Sequence, residues 1–351
     1  MSFAAPNAHR LPAIAALSSF ALALSAPCGA QDFYAGKSIQ LVIGFDVGGG
    51  YDLYARTVAR HWTRHIPGNP TFVPQNMPGA GTRIAANWLY SVAPKNGTAV
   101  GTVVQSTAVD QALGEPGIRF DAAQFNWLGN PIVDNLVTLS WGASGLATLD
   151  DVKTKSGLFC GSTGGGPTTV FPRVINQLIG TQIKVVTGYP GQTAVNIAME
   201  RGEVNCIGGT TWSSVKATMR PMLDGRKVNM LVQWGATKDP EISAYANRDV
   251  PLIQELGQTD LDRRVLMFIG SGAAFGRPLL APPGVPRERV AILRQAFDRT
   301  MRDPEFLAEA ARLNMDIKPL PGTELQKIAT DVVQSRPEDV ARAKELIGTT
   351  R

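Results

Sequence analysis

The stretch GFDVGGGYDLYAR, residues 44–56, decides how this chain is read. It follows the apolar run SIQLVI at 38–43, so a buried strand leaves through three consecutive glycines into a helix beginning at Tyr51 or Asp52. Glycine there opens positive φ and lets backbone amides approach a bound group, so that a helix N-terminus faces an anion. Helical spacing places Ala55, Val58, Trp62 and Ile66 on one face, and PGNP ends the helix.

The same grammar recurs along the chain. TFVPQN reads as a strand, MPGAG as a glycine turn, TRIAANWLYSVA as a helix, TAVGTVV as a strand and QSTAVDQ as a loop. A second cycle follows WGASG, with strands in GLFCGS, QIKVV and VNCIGG and helices in FPRVINQLIG and TAVNIAMERG. Strand, glycine loop and helix in alternation predict two α/β lobes, each a mostly parallel sheet flanked by helices.

VLMFIGSG is read as a strand returning the chain to the first lobe. RERVAILRQAF follows as a helix with Pro286 near its start and a Val290, Leu293, Phe297, Met301 stripe. Thr323 with Gln326 and Ser335 with Glu338 have capping-box spacing, which predicts two tail helices packed on the first lobe. Lobe 1 is thus expected at 31–138 and 265–351 and lobe 2 at 139–264, with hinge crossings near 135–142 and 235–268.

Residues 1–30 read as a secretory leader: one arginine, the apolar run LPAIAALSSFALALS, and small residues ending at Ala30, where cleavage is expected. The run is shorter than the roughly 20 residues a membrane span needs. Pro27 before Cys28 argues against a lipoprotein. The expectation is an exported protein of the periplasm, acting as a monomer.

Composition is globular, with 44% apolar and 18% charged residues. The net charge of +5 falls to +4 without Arg10 of the leader. Arg56, Arg60 and Arg64 form a basic helix face, but no aromatic residues interleave with them as in single-strand binders, so nucleic acid is not expected and a solvated or partner-docking face is.

Catalytic patterns are missing. Of three histidines, His9 lies in the leader, and His61 and His65 flank Trp62 where a zinc-protease motif needs glutamate, so no metal is expected. GSGAAFG at 270–276 has the wrong spacing for a dinucleotide loop, and no glycine run ends in GKS or GKT, so no cofactor is expected. No GxSxG elbow occurs, and the chain is read as no enzyme.

What remains is a set of loops at strand C-termini: 46–52, 76–82, 105–107, 161–168, 189–192 and 208–213. In open parallel sheets such loops share one edge, where ligands bind. Glycine, serine and threonine with few charges suit an anion held by amides and hydroxyls. Taken one at a time, each loop reads better as a tight turn; taken together in an exported two-lobed chain, the set reads as a binding edge.

IQLVIGFDVGGGYDLYAR, VPQNMPGAGTRIAAN, APKNGTAVG and RPLLAPPGVPRERVAILRQAF, in that order, resemble the Bug-type extracytoplasmic solute receptors of tripartite tricarboxylate transporters. The resemblance implies a two-lobed Venus-flytrap fold closing on a small organic acid, a di- or tricarboxylate or an aromatic acid, for delivery to integral membrane transporter subunits. A sensing subunit presenting its ligand to a membrane signalling protein is the alternative. Carried over, the carboxylate loops correspond to Val47, Gly48, Gly49 and Gly50, to Gly79, Ala80 and Gly81, and to Ser106 and Thr107. The other lobe supplies Ser162, Gly164, Gly166 and Thr168. Tyr51 and Thr210 join the set from neighbouring loop positions. The chain departs from the family in carrying Asp46 and Val47 where paired prolines are common.

Three further residues have two readings each. Asp52 caps its helix or contacts ligand; Arg83 clamps a second carboxylate or is solvated; Trp212 walls the pocket or packs within its lobe. If the first strand of the second lobe lies between the second and third, Cys160 and Cys206 become neighbours, either as a disulfide or as two buried thiols.

Overall fold

The computed structural model describes residues 1–4, 33–162, 166–189 and 192–348. The expected leader beyond residue 4, and Gly164, lie outside the described residues.

The chain opens with β1 (Ser38–Ile43), α1 (Gly50–Trp62), β2 (Thr71–Asn76), α2 (Arg83–Ser91), β3 (Ala99–Thr102), α3 (Thr107–Ala112) and β4 (Asn126–Asn130). It continues through β5 (Leu136–Trp141), α4 (Leu149–Thr154), β6 (Phe159–Gly161), α5 (Pro167–Ile179), β7 (Lys184–Val186) and α6 (Gln192–Glu200). Next come β8 (Cys206–Thr211), α7 (Trp212–Thr218), α8 (Arg220–Asp224), β9 (Val228–Trp234), α9 (Pro240–Ala246) and α10 (Asp260–Gly270). The tail is β10 (Leu279–Ala281), α11 (Arg287–Thr300), α12 (Pro304–Arg312), β11 (Leu320–Pro321), α13 (Gly322–Val333) and α14 (Pro337–Ile347).

These strands form two sheets, ordered β11-β4-β10-β3-β1-β2 and β7-β6-β8-β5-β9. In each, the first strand of a strand–helix cycle lies parallel between the next two: β2-β1-β3 and β7-β6-β8. Both sheets are mixed rather than mostly parallel. β5, which enters from the first sheet, runs antiparallel to β8 and β9, and β10, which returns from the second, runs antiparallel to β3 and β4. A strand that starts at the crossing must oppose strands that end there. Cys160 and Cys206 stand opposite each other in β6 and β8 and are joined as a disulfide.

One apolar cluster runs through both halves, from Leu89 and Trp127 by way of Phe275 and Ile269 to Phe171 and Trp234. Two others cover the far faces, one around Trp62 and Phe297, the other around Val137, Trp212 and Met230. The α1 stripe of Ala55, Val58 and Trp62, with Ile66 beyond it, is buried in the first of these.

Several expectations need correction. VLMFIGSG is the end of α10, not a strand; the chain rejoins the first sheet at β10, and the expected boundary at 264/265 falls inside the helix. An apolar run of this length has no decisive period. The missed signal is upstream, where the Thr259 side chain accepts a hydrogen bond from the Asp262 amide and starts the helix. The loop QSTAVDQ contains α3, and WSS opens α7.

The tail helices form where placed, but without their capping boxes. Gly322 is pressed against β4, where a Cβ would lie 2.5 Å from the carbonyls of Trp127 and Leu128. Gln326 serves that same packing: it accepts from the Trp127 amide and donates to the Ala123 carbonyl. Glu338 pairs with Arg264. That contact carries α14 onto α10 and α5, so it spans both halves rather than resting on the first alone.

The basic face of α1 is neither free nor solvated throughout. Arg60 and His61 pair with Glu309, and Arg64 and His65 with Asp303, tying α1 to α12 and the turn before it. Among the described residues, no group of three or more His, Cys, Asp or Glu is placed to hold a metal ion, and no helix is long and apolar enough to cross a membrane.

Candidate functional site

Parallel pairing brings the loops after β1, β2 and β3 out along one edge. The Met77 amide donates to Ile43 (2.7 Å), and the Gly44 amide to Thr102 (3.1 Å). Val47, Gly48, Gly49 and Gly50, together with Gly79, Ala80 and Gly81, are exposed on this edge. Gly48 and Gly79 take φ of +86° and +128°, which an L side chain resists.

Asp52 organises the first loop. Its buried carboxylate accepts from the Gly48 amide (3.0 Å), the Asn76 side-chain amide (2.9 Å) and Arg56 Nε (2.8 Å). Burial alone would raise its pKa, but these hydrogen bonds and the Arg56 charge outweigh it and hold the group below its ordinary value. The Gly48 N–H is therefore engaged within the loop, and no side chain caps α1 at Gly49.

Tyr51 links this loop to the next. Its ring stacks on Phe45 at 3.8 Å, and its hydroxyl accepts from the Gln105 amide at 3.2 Å. Burial raises the phenol pKa, against the pull of the Arg277 charge.

A cleft open to solvent lies between α3 on one side and α5 on the other. Val109, Leu113, Leu136, Val170, Phe171 and Ile269 make its walls apolar. The start of α5, at Gly166 and Pro167, borders it, so a helix N-terminus with about half a positive charge stands at its rim. Among the described residues its polar side chains are Gln105, Ser106 and Asp110. Gln105 is 6% exposed, and its side-chain Oε1 is buried without a hydrogen-bond partner. Ser106 donates to Asp110 Oδ2 at 3.0 Å. Burial raises the Asp110 pKa to about 6; the Ser106 hydrogen bond and Arg83 pull it down, and Glu115 pushes it up.

Of the residues proposed from sequence, Ser106 and Gly166 line this cleft. Thr107 is buried and turns its hydroxyl back to the Val104 carbonyl. Ser162 and Thr168 are buried, their hydroxyls 2.9 Å apart. Thr210 is buried in β8, where Gly208 and Gly209 have no room for a Cβ because Pro172, Phe171 and Pro167 of α5 press on them. These glycines serve helix-on-sheet packing rather than a loop. Arg83 is half-buried beside α3, close enough for its charge to act on Asp110. Trp212 packs in the second lobe, donates its indole N–H to Glu241 at 2.8 Å, and does not line the cleft.

Two features had no sequence reading. Asp110 and the α5 wall depend on α3 and α5 facing one another, which no local pattern encodes. Arg277, 5% exposed, lies over the Tyr51 ring at 4.4 Å and reaches Ser214 at 3.2 Å, so it bridges the two halves beneath the glycine loop.

No family model matches the chain. The UPF0065 protein in gbd 5'region of Cupriavidus necator is 25% identical over 339 residues, 91% of this chain and 92% of that one. The chain is a homologue of that UPF0065 protein. Solved structures similar to this chain include a TctC solute binding protein from Polaromonas, with TM-score 0.63 and 17% identity over 90% of this chain and all of that one. Rpa4515 of R. palustris with adipate matches at TM-score 0.63 and 18% identity, covering 89% and 98%. MatC (Rpa3494) from Rhodopseudomonas palustris with bound malate matches at 0.61 and 17%, covering 89% and 99%. These matches show the fold of this chain, the two-lobed periplasmic-binding-protein architecture.

Proposed function

We infer that this protein is an exported, non-catalytic receptor of the periplasm. It takes a small organic carboxylate into the cleft between α3 and α5 and delivers it to a tripartite tricarboxylate-type membrane transporter. The observation that carries this reading is the cleft itself: apolar walls, a few polar groups and the N-terminus of a 13-residue helix at its rim, set between two lobes. Adipate and malate in structures of the same fold support a carboxylate. Ligand acts by favouring closure about the crossings between the sheets, since a compound with equal affinity for open and closed forms shifts nothing.

Thermal unfolding with a panel of carboxylates and their methyl esters tests this. An acid at a hundred times its Kd adds about 2.7 kcal/mol of stability. Acids should stabilise and esters should not. Equal effects of acid and ester would overturn the carboxylate reading, and turnover of the bound acid would overturn the receptor reading.

A further inference from the structure

The polar end of the cleft has a chemistry of its own. Asp110 and Gln105 both border it. The Ser106 hydroxyl proton is directed to Asp110 Oδ2, and among the described residues Asp110 forms no ion pair within 4.0 Å. Gln105 Oε1 is buried and has no donor. Among the described residues that border the cleft there is no lysine, arginine or histidine. A buried acceptor without a donor is costly, so this end favours a partner that supplies N–H or O–H.

We propose that Gln105 and Asp110 select the ligand, and that it is an organic acid whose far end carries a hydroxyl or amino donor on an apolar body, not a second carboxylate. This rests on the carboxylate reading above, with the acid group toward the α5 rim and the donor end toward α3. The arrangement disfavours a dicarboxylate for the same reason that it favours a donor. A second carboxylate brings more acceptors and a like charge to a half-buried Asp110, and like charges in a sheltered site repel strongly. The apolar walls between Val109 and Phe171 take the body of the ligand. A site built to hydrogen-bond a substrate donor rejects the analogue that lacks it far more sharply than an apolar pocket rejects an extra methylene.

A matched series tests this by calorimetry on the whole protein at pH 7.5. Hexanoate, adipate, 6-hydroxyhexanoate and 6-aminohexanoate share a six-carbon chain and differ at the far end; benzoate, terephthalate, 4-hydroxybenzoate and 4-aminobenzoate do so on a ring. On at least one body the hydroxyl or amino acid should bind at least tenfold tighter than both the dicarboxylate and the unsubstituted acid. Asp110→Asn should cut the preference for 6-aminohexanoate over adipate at least tenfold, and Gln105→Leu should cut the preference for the hydroxy acids over their unsubstituted counterparts at least tenfold. Dicarboxylates ranking first on both bodies would overturn the inference and leave the carboxylate reading standing. Methyl esters binding as well as the free acids, or no member binding, would overturn both. The ranking in the unaltered protein decides the matter even if a variant fails to fold.

Discussion

Opening the bond between Cys160 and Cys206 should cost the second lobe much of its stability. Both cysteines are fully buried, side by side in β6 and β8, and the link closes a loop with a sequence separation of 46. The loop-closure relation for a link of that length gives about 4 kcal/mol at 25 °C, through the unfolded chain that the bond restrains. At a urea dependence of about 2 kcal/mol per M, the unfolding midpoint should fall by about 2 M. Comparing urea unfolding with and without reductant isolates the link, because the folded contacts are the same in both. A double variant, Cys160→Ala with Cys206→Ala, should unfold early and ignore reductant. The reasoning fails if reductant leaves the midpoint of the natural protein unmoved, or if two thiols react in denaturant before any reduction.

Two further outcomes follow from the loops and the core. Asp52→Ala leaves the Gly48 amide, Asn76 and Arg56 without their shared acceptor and should destabilise by about 1–3 kcal/mol in denaturant unfolding. Because the folded pKa of Asp52 lies below its unfolded value, its contribution is complete only well above the unfolded value and is lost as pH falls through the folded value; the variant should therefore lose less stability on acidification than the natural protein. Gly129→Ala should lower the thermal midpoint, with a cost of at least 1–3 kcal/mol, since its Cβ would lie 2.2 Å from the Phe297 ring and the backbone φ is +154°. An unchanged midpoint would mean that Phe297 has room to yield.

Local chemistry carried much of the architecture. β1, α1 and α11 lie where the apolar run and helical spacing put them, because each buries an apolar face, and β2 follows as a half-buried edge strand. Local chemistry misled where one pattern serves two structures: the apolar run of α10 reads equally as a buried strand, and the capping spacing at Gln326 is overridden by its bonds to Trp127 and Ala123. The candidate site was legible only in part. Ser106 and Gly166 were within reach because loops after strands gather at a sheet edge, whereas the Ser162 and Thr168 hydroxyls are buried within hydrogen-bond distance of each other and Gly48 is engaged by Asp52. Asp110, Phe171 and Arg277 lie in helices or connections with no local mark of a site.

By itself, then, the order of residues determined the α/β class, the repeated strand–glycine–helix unit, the division into two halves and the adjacency of the two cysteines. Each of these follows from backbone preference and burial over a few residues or from the pairing rules of parallel strands. Tertiary structure alone decided which loops face the cleft, that its inner end is rich in acceptors, and that Arg277 bridges the halves. The cleft and the bridge arise from α3 and α5, and from Arg277 and Ser214, more than fifty residues apart in the chain, meeting only once the lobes are packed together.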